Sequence, residues 1–69
     1  MERTPVISRN IVSIGYDSLS CTLEVEFQSG IYLYYNVPSE VFEGLMAAPS
    51  KGTFFDQYVR KAGYSFSKI

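Results

Sequence analysis

Four cations and two tyrosines are the side chains of this sequence whose types and spacing suit recognition chemistry. Lys51, Arg60, Lys61 and Lys68 fall close together in the final stretch of the chain, where they would meet phosphates. Tyr32 and Tyr34 lie two residues apart, so a strand would put both on one face. An open tyrosine pair of that kind stacks nucleic-acid bases. Ser50-Lys51-Gly52 stands at a predicted helix start, where free backbone amides bind anions. A Walker-type phosphate loop needs a longer glycine-rich run before its lysine, and an ordinary helix cap is the simpler reading.

Acid–base and nucleophilic chemistry finds little support. The chain has no histidine, the commonest general base and zinc ligand. Ser50 and Lys51 are neighbours, which point apart on a helix, so they do not form a Ser–Lys dyad. Glu24 and Glu26 alternate and read as the polar side of a strand. Cys21 is the lone cysteine, so no intrachain disulfide forms. No cation adjoins it to lower its pKa, and it reads as a small buried or edge residue. We expect no catalytic site, no metal and no cofactor.

Charge is distributed unevenly. The net charge is −1 over 69 residues and the isoelectric point is near 5.1, which argues against non-specific binding of nucleic acid by the whole surface. Residues 1–48 set Arg3 and Arg9 against six acidic residues, a net of −4. Residues 49–69 set the four cations against Asp56 alone, a net of +3. The molecule is therefore expected to carry a basic C-terminal face.

The elements that must position these groups are legible in the hydropathy pattern. Val12, Ile14 and Tyr16 fall at period two over residues 10–16, a strand signal. Asp17-Ser18-Leu19-Ser20 is turn chemistry. In residues 21–27, Leu23, Val25 and Phe27 alternate with Thr22, Glu24 and Glu26, and residues 31–36 form a third strand of high β-propensity. Val37-Pro38-Ser39-Glu40 starts a helix, with Pro38 in its first turn and Val41, Phe42, Leu45 and Met46 on one face. Ala48-Pro49 ends it. Ser50 caps a second helix, with Phe54, Phe55, Tyr58 and Val59 as its apolar set and Gly63 as its stop. Tyr64 and Phe66 alternate, as a short strand or a packed segment. The fold class is α+β: a three-stranded antiparallel meander followed by two short helices packed on one face, a single domain over residues 1–69. Its core is expected to hold Val12, Ile14, Leu23, Val25, Phe27, Leu45 and Phe55.

One residue of register decides what the tyrosines do. With Ser29-Gly30 as a two-residue loop, Phe27 pairs with Tyr32, and Tyr32 and Tyr34 lie under the helices. With Gln28-Ser29-Gly30 as the loop, both tyrosines flip outward beside Glu24 and Glu26. The Ser-Gly step favours the first. In that register Ile31, Leu33 and Tyr35 line the uncovered face, and an exposed apolar patch marks an interface.

Asn10-Ile-Val-Ser-Ile-Gly-Tyr-Asp17, Leu23-Glu-Val-Glu-Phe27, Tyr32-Leu-Tyr34, Val37-Pro38 and Ser50-Lys51-Gly52 followed by Phe55 together resemble the KTSC domain. That family is named for a domain at the C-terminus of some lysyl-tRNA synthetases and also occurs as short stand-alone proteins of bacteria and phages. The resemblance implies RNA contact through the synthetase fusion. It maps the family's YxY pattern onto Tyr32 and Tyr34, with Leu33 where a polar residue is common.

Two functions are expected on these grounds. The first is a small non-enzymatic RNA-binding module. Lys51, Arg60, Lys61 and Lys68 would contact phosphates with help from Tyr32 and Tyr34. The second is a homodimerising or protein-binding domain using Ile31, Leu33 and Tyr35. A cytoplasmic location is expected: Met1-Glu2-Arg3-Thr4-Pro5 carries no apolar leader, and no stretch approaches the roughly 20 apolar residues that span a bilayer.

Overall fold

Asp17 organises the reversal that follows residues 11–17. Its carboxylate accepts from the Leu19 amide at 3.1 Å and the Ser20 hydroxyl at 2.9 Å, and Cys21 then turns through a left-handed φ of 54°. This joins β2 (Ile11–Asp17) to β3 (Thr22–Phe27). Gln28 and Ser29 make the next reversal, into β4 (Gly30–Tyr34), with Gly30 at a φ of 149° that favours glycine. The computed structural model describes residues 1–69. It adds two short strands to the expected meander, β1 (Arg3–Pro5) before it and β5 (Phe66–Lys68) at its far edge. The result is a five-stranded antiparallel sheet in the order β1-β2-β3-β4-β5, a correction to the three strands expected. β1 ends on Pro5 and shows no alternation, so its sequence carries no strand signal.

The helices follow the sequence closely. α1 (Ser39–Ala47) starts just after Pro38, which is the cap and lies outside the first turn; its carbonyl accepts from the Val41 amide at 3.0 Å. Ala48, extended ahead of Pro49, ends it. The Ser50 side chain caps α2 (Lys51–Phe55) by accepting from the Thr53 amide at 3.4 Å. The helix then widens into a π turn over Asp56–Arg60, in which Lys61 donates to the Asp56 carbonyl at 3.1 Å. Gly63, at a φ of 84°, turns the chain back toward the sheet.

Leu45, Phe55 and Val59 from the helical segment join Ile14, Leu23, Val25 and Tyr34 from the sheet in one buried cluster, so both helices cover the same face. The hairpin pairs Phe27 with Gly30, Val25 with Tyr32 and Leu23 with Tyr34. That is two residues away from the expected pairing, and a shift of two keeps parity. Tyr32 and Tyr34 therefore stay on the helix face, Tyr34 at 6% exposure and Tyr32 half-buried. Val12 is a correction. A β-bulge between Ile11 and Ser13 makes Val12 the extra residue, and Ile11 takes the core place instead, at 2% exposure. Cys21 is a second correction, exposed in its turn.

The other face is polar where it is most covered. Arg3 pairs with Gly15 and Gly15 with Glu24 across three adjacent strands. The guanidinium crosses Gly15 to form an ion pair with Glu24 and donates to the Ser13 hydroxyl at 3.0 Å. Ser13 donates in turn to Glu26 at 2.8 Å. Glu24 is only 8% exposed, a burial that a carboxylate tolerates when paired. A Cβ on Gly15 would stand 2.5 Å from the Glu2 carbonyl oxygen and 3.1 Å from Arg3 Cγ. Gly15→Ala is therefore expected to lower stability in urea denaturation by about 1–3 kcal/mol. Gly52→Ala, where a Cβ meets nothing within 4 Å, should raise it by about 0.4–1 kcal/mol. Similar effects of the two changes would show that the crossing at Gly15 is not a packing constraint.

Candidate functional site

Between the helix-side face of β3, β4 and β5 and the segment running through α2 and its π turn lies an open cleft of about 710 Å³. Its aromatic lining comes from Phe27, Tyr32, Tyr34, Phe55, Tyr64 and Phe66. Phe55 and Tyr34 form the floor; their rings meet edge to face at 5.3 Å, and Phe55 meets Phe27 in the same way at 5.1 Å. Phe66 stands above them, 5.5 Å from Tyr34 and 6.2 Å from Tyr32, and remains 60% exposed. The sheet register produces this directly, because Tyr34 pairs with Phe66 and Tyr32 with Lys68. The lining thus grades from the buried ring of Phe55 to the open ring of Phe66, which rests on Tyr34 and Tyr32.

Polar groups rim the cleft at Asn10, Gln28, Ser29, Asp56 and Arg60. The structure divides the four expected cations. Arg60 lines the cleft and pairs with Asp56 at 2.8 Å. Lys68 crosses Gly30, where a Cβ would stand 2.8 Å from its Cε, and sets its ammonium 5.9 Å from the centre of the Tyr32 ring, a cation–π distance. Lys61 also reaches Asp56, at 3.6 Å, but does not line the cleft. Lys51 donates to the Ala48 carbonyl at 3.1 Å and belongs to a neighbouring groove. Of the two expected tyrosines, Tyr32 lines the open part and Tyr34 is floor.

Phe66 and Tyr64 were not among the expected site residues. Their alternation is the one signal that could have found them. The π turn has no signal in the sequence; such turns are common at functional sites.

Ile31, Leu33 and Tyr35 lie on the face away from the helices, all half-buried. Ile31 and Leu33 pair with Glu26 and Glu24, and the Tyr35 hydroxyl is 2.5 Å from that of Ser67. The tail does not cover this face. β5 extends the sheet beside β4 and turns Phe66 toward the helices. No group of three His, Cys, Asp or Glu side chains is placed to hold a metal. No helix is long and apolar enough to cross a membrane.

The sequence model of the KTSC domain matches residues 7–64, which leaves out both edge strands. An uncharacterized protein of Stutzerimonas stutzeri is 40% identical over 70 residues, with 100% of this chain and 99% of that protein covered. A lysine–tRNA ligase of Nostoc punctiforme is 38% identical over 60 residues, which is 86% of this chain and 10% of the ligase. The crystal structure of a KTSC domain protein from Yersinia pestis superposes with a TM-score of 0.92 at 43% identity, covering 99% of this chain and 96% of that one.

Burial raises the Tyr34 phenol above its ordinary value of 10.0; the neighbouring Tyr32 adds to the shift and Arg60 opposes it. The folded chain then holds this proton more tightly than the unfolded chain. The contribution to stability is complete below pH 10.0 and declines as pH rises above it. Tyr34→Phe should therefore lose less stability than wild type on going above pH 10.0, measured by urea denaturation along a pH series. An unchanged alkaline slope would contradict the burial of this phenol.

Proposed function

The chain belongs to the KTSC domain family, and from that and the cleft we propose a non-enzymatic module that binds single-stranded RNA by stacking bases on Tyr32 and Phe66. The observation that carries this reading is the exposed ring of Phe66 6.2 Å from the half-buried ring of Tyr32, with Arg60 and Lys68 beside them. Every base has a stacking face, and stacking on an aromatic side chain contributes about 1–3 kcal/mol per base. The two cations neutralise phosphates, which gives affinity without sequence preference. The ligase of Nostoc punctiforme carries a matching segment. A domain joined to an enzyme that acts on tRNA is well placed to touch RNA. Arg60 and Lys68 replace the full set of four cations in this reading, and Tyr34 serves as support beneath the stack.

An NMR titration with a short single-stranded RNA at two salt concentrations tests it. Resonances of Tyr32, Phe66 and Lys68 should shift. Phe66→Ala should weaken binding roughly 5- to 150-fold, and removing the charges of Arg60 and Lys68 should flatten the salt dependence by about 0.7 per cation. Binding that ignores salt, or that leaves these resonances unmoved, would reject the reading.

The second reading, self-association through the outer face, draws on Ile31 and Leu33, which take no part in the buried cluster. If this patch is an interface, sedimentation of wild type should depend on concentration, and Leu33→Lys should abolish that dependence. A wild type that stays monomeric removes this reading.

A further inference from the structure

We propose that the aromatic cleft continues into a second subsite, a polar groove built on Arg9 and Lys51 that takes the phosphodiester next to the stacked base. The inference rests on the RNA reading of the cleft and names the part of the ligand that reading leaves unassigned. The groove, about 520 Å³, runs between the loop ahead of β2 and the start of α2. Asn10, Gly52 and Asp56 line both spaces, so a chain lying in one enters the other without leaving the surface. The change of lining is abrupt. The cleft is walled by aromatic rings, whereas Ile7 is the one hydrophobic residue of the groove. At the junction the surface is close to bare backbone, since a Cβ on Gly52 would meet nothing within 4 Å.

The charges suit a phosphate. Arg9 is exposed and engaged in no ion pair. Its guanidinium has a planar fork of donors that matches two phosphate oxygens. Lys51 is held by one bond to the Ala48 carbonyl, which leaves two of its three ammonium protons for a ligand. The acid at the junction would repel a phosphate if it were free. It is not: the Asp56 carboxylate is occupied by Arg60 at 2.8 Å and Lys61 at 3.6 Å. Lys61 thus assists from outside both spaces by neutralising the one anion on the path.

The test uses the full chain and two probes, adenosine, which has no phosphate, and the trinucleotide ApApA. Binding of each is followed by NMR for wild type, for Phe66→Ala, and for the double variant Arg9→Gln with Lys51→Gln, which removes charge from two surface positions. The double variant should bind ApApA roughly tenfold more weakly, with a salt slope lower by about 0.7 per cation, and should bind adenosine as wild type does. Phe66→Ala should weaken both probes. If the double variant binds ApApA within about twofold of wild type while Phe66→Ala weakens both, the groove is not a subsite and the cleft reading stands. If neither probe shifts any resonance of wild type, the cleft reading fails and the groove with it.

Discussion

Tyr35 donates to Ser65 at 2.9 Å and Ile69 donates to Ile31 at 2.8 Å, and the short ladder between these bonds fastens β5 to β4. The whole helical excursion from Ser39 to Ser65 is pinned at both ends by it. The cleft is the gap left between that excursion and the strands, so its width depends on the same pairing. β5 has only three residues, all exposed, and a ladder this short adds little by itself. Phe66 supplies the rest through its contacts with Tyr34 and Tyr32, each aromatic pair worth about 0.5–1.5 kcal/mol beyond area burial. One side chain therefore holds the edge strand and faces the cleft. A ligand that touches Phe66 only when β5 is docked must stabilise the docked strand, because binding to one state of an equilibrium draws the population toward it.

How far the fold was legible follows from which features have a period. The alternation of Leu23, Val25 and Phe27 and the helical spacing of Val41, Phe42, Leu45 and Met46 identify their elements, and Ser50 marks its cap. The turn lies one residue ahead of the expected Ser29-Gly30, yet Tyr32 and Tyr34 keep the expected face, because parity alone decides the face. Val12 departs from its expected core place because a bulge breaks parity without leaving a mark in composition. β1 is invisible for another reason: three residues ending on a proline have no pattern to read, and what holds them is long-range, the ladder to β2 and the contact from Arg3 to Glu24. The candidate site was half legible. Its cations and Tyr32 announce themselves by type, but Arg60 and Lys68 separate from Lys51 and Lys61 only once the strands and helices meet.

The two faces of the sheet solve the same problem differently. A chain of 69 residues without a disulfide has a small core to rely on. On the helix side, bulky rings supply buried area. Tyr16 stacks on Phe42 at 5.0 Å and donates to the Val37 carbonyl at 2.5 Å, so a phenol ties the sheet to the strand–helix junction. On the outer side no layer of structure follows, and a core of that kind would be exposed. There the sheet is joined by charge, with Arg3 bridging from the edge strand to Glu24 near the centre. Leu33 sits beside this pair, which limits how apolar the outer face becomes.

The π turn connects the packing to the electrostatics of the cleft. An ordinary helix brings residues three and four apart together, so Asp56 would be expected to meet Arg60 alone. Here the Asp56 carbonyl accepts from the amide of Lys61, five residues on, and the carboxylate reaches Arg60 and Lys61 together. Phe55 and Val59 remain buried at 5% and 1% exposure, so the widening leaves the core stripe intact. Its effect falls on the charged side. It gathers two cations around one anion at the junction of cleft and groove, so a pair that Arg60 alone would balance carries a small positive excess. The turn therefore has two sides, with Val59 in the core and Arg60 lining the cleft.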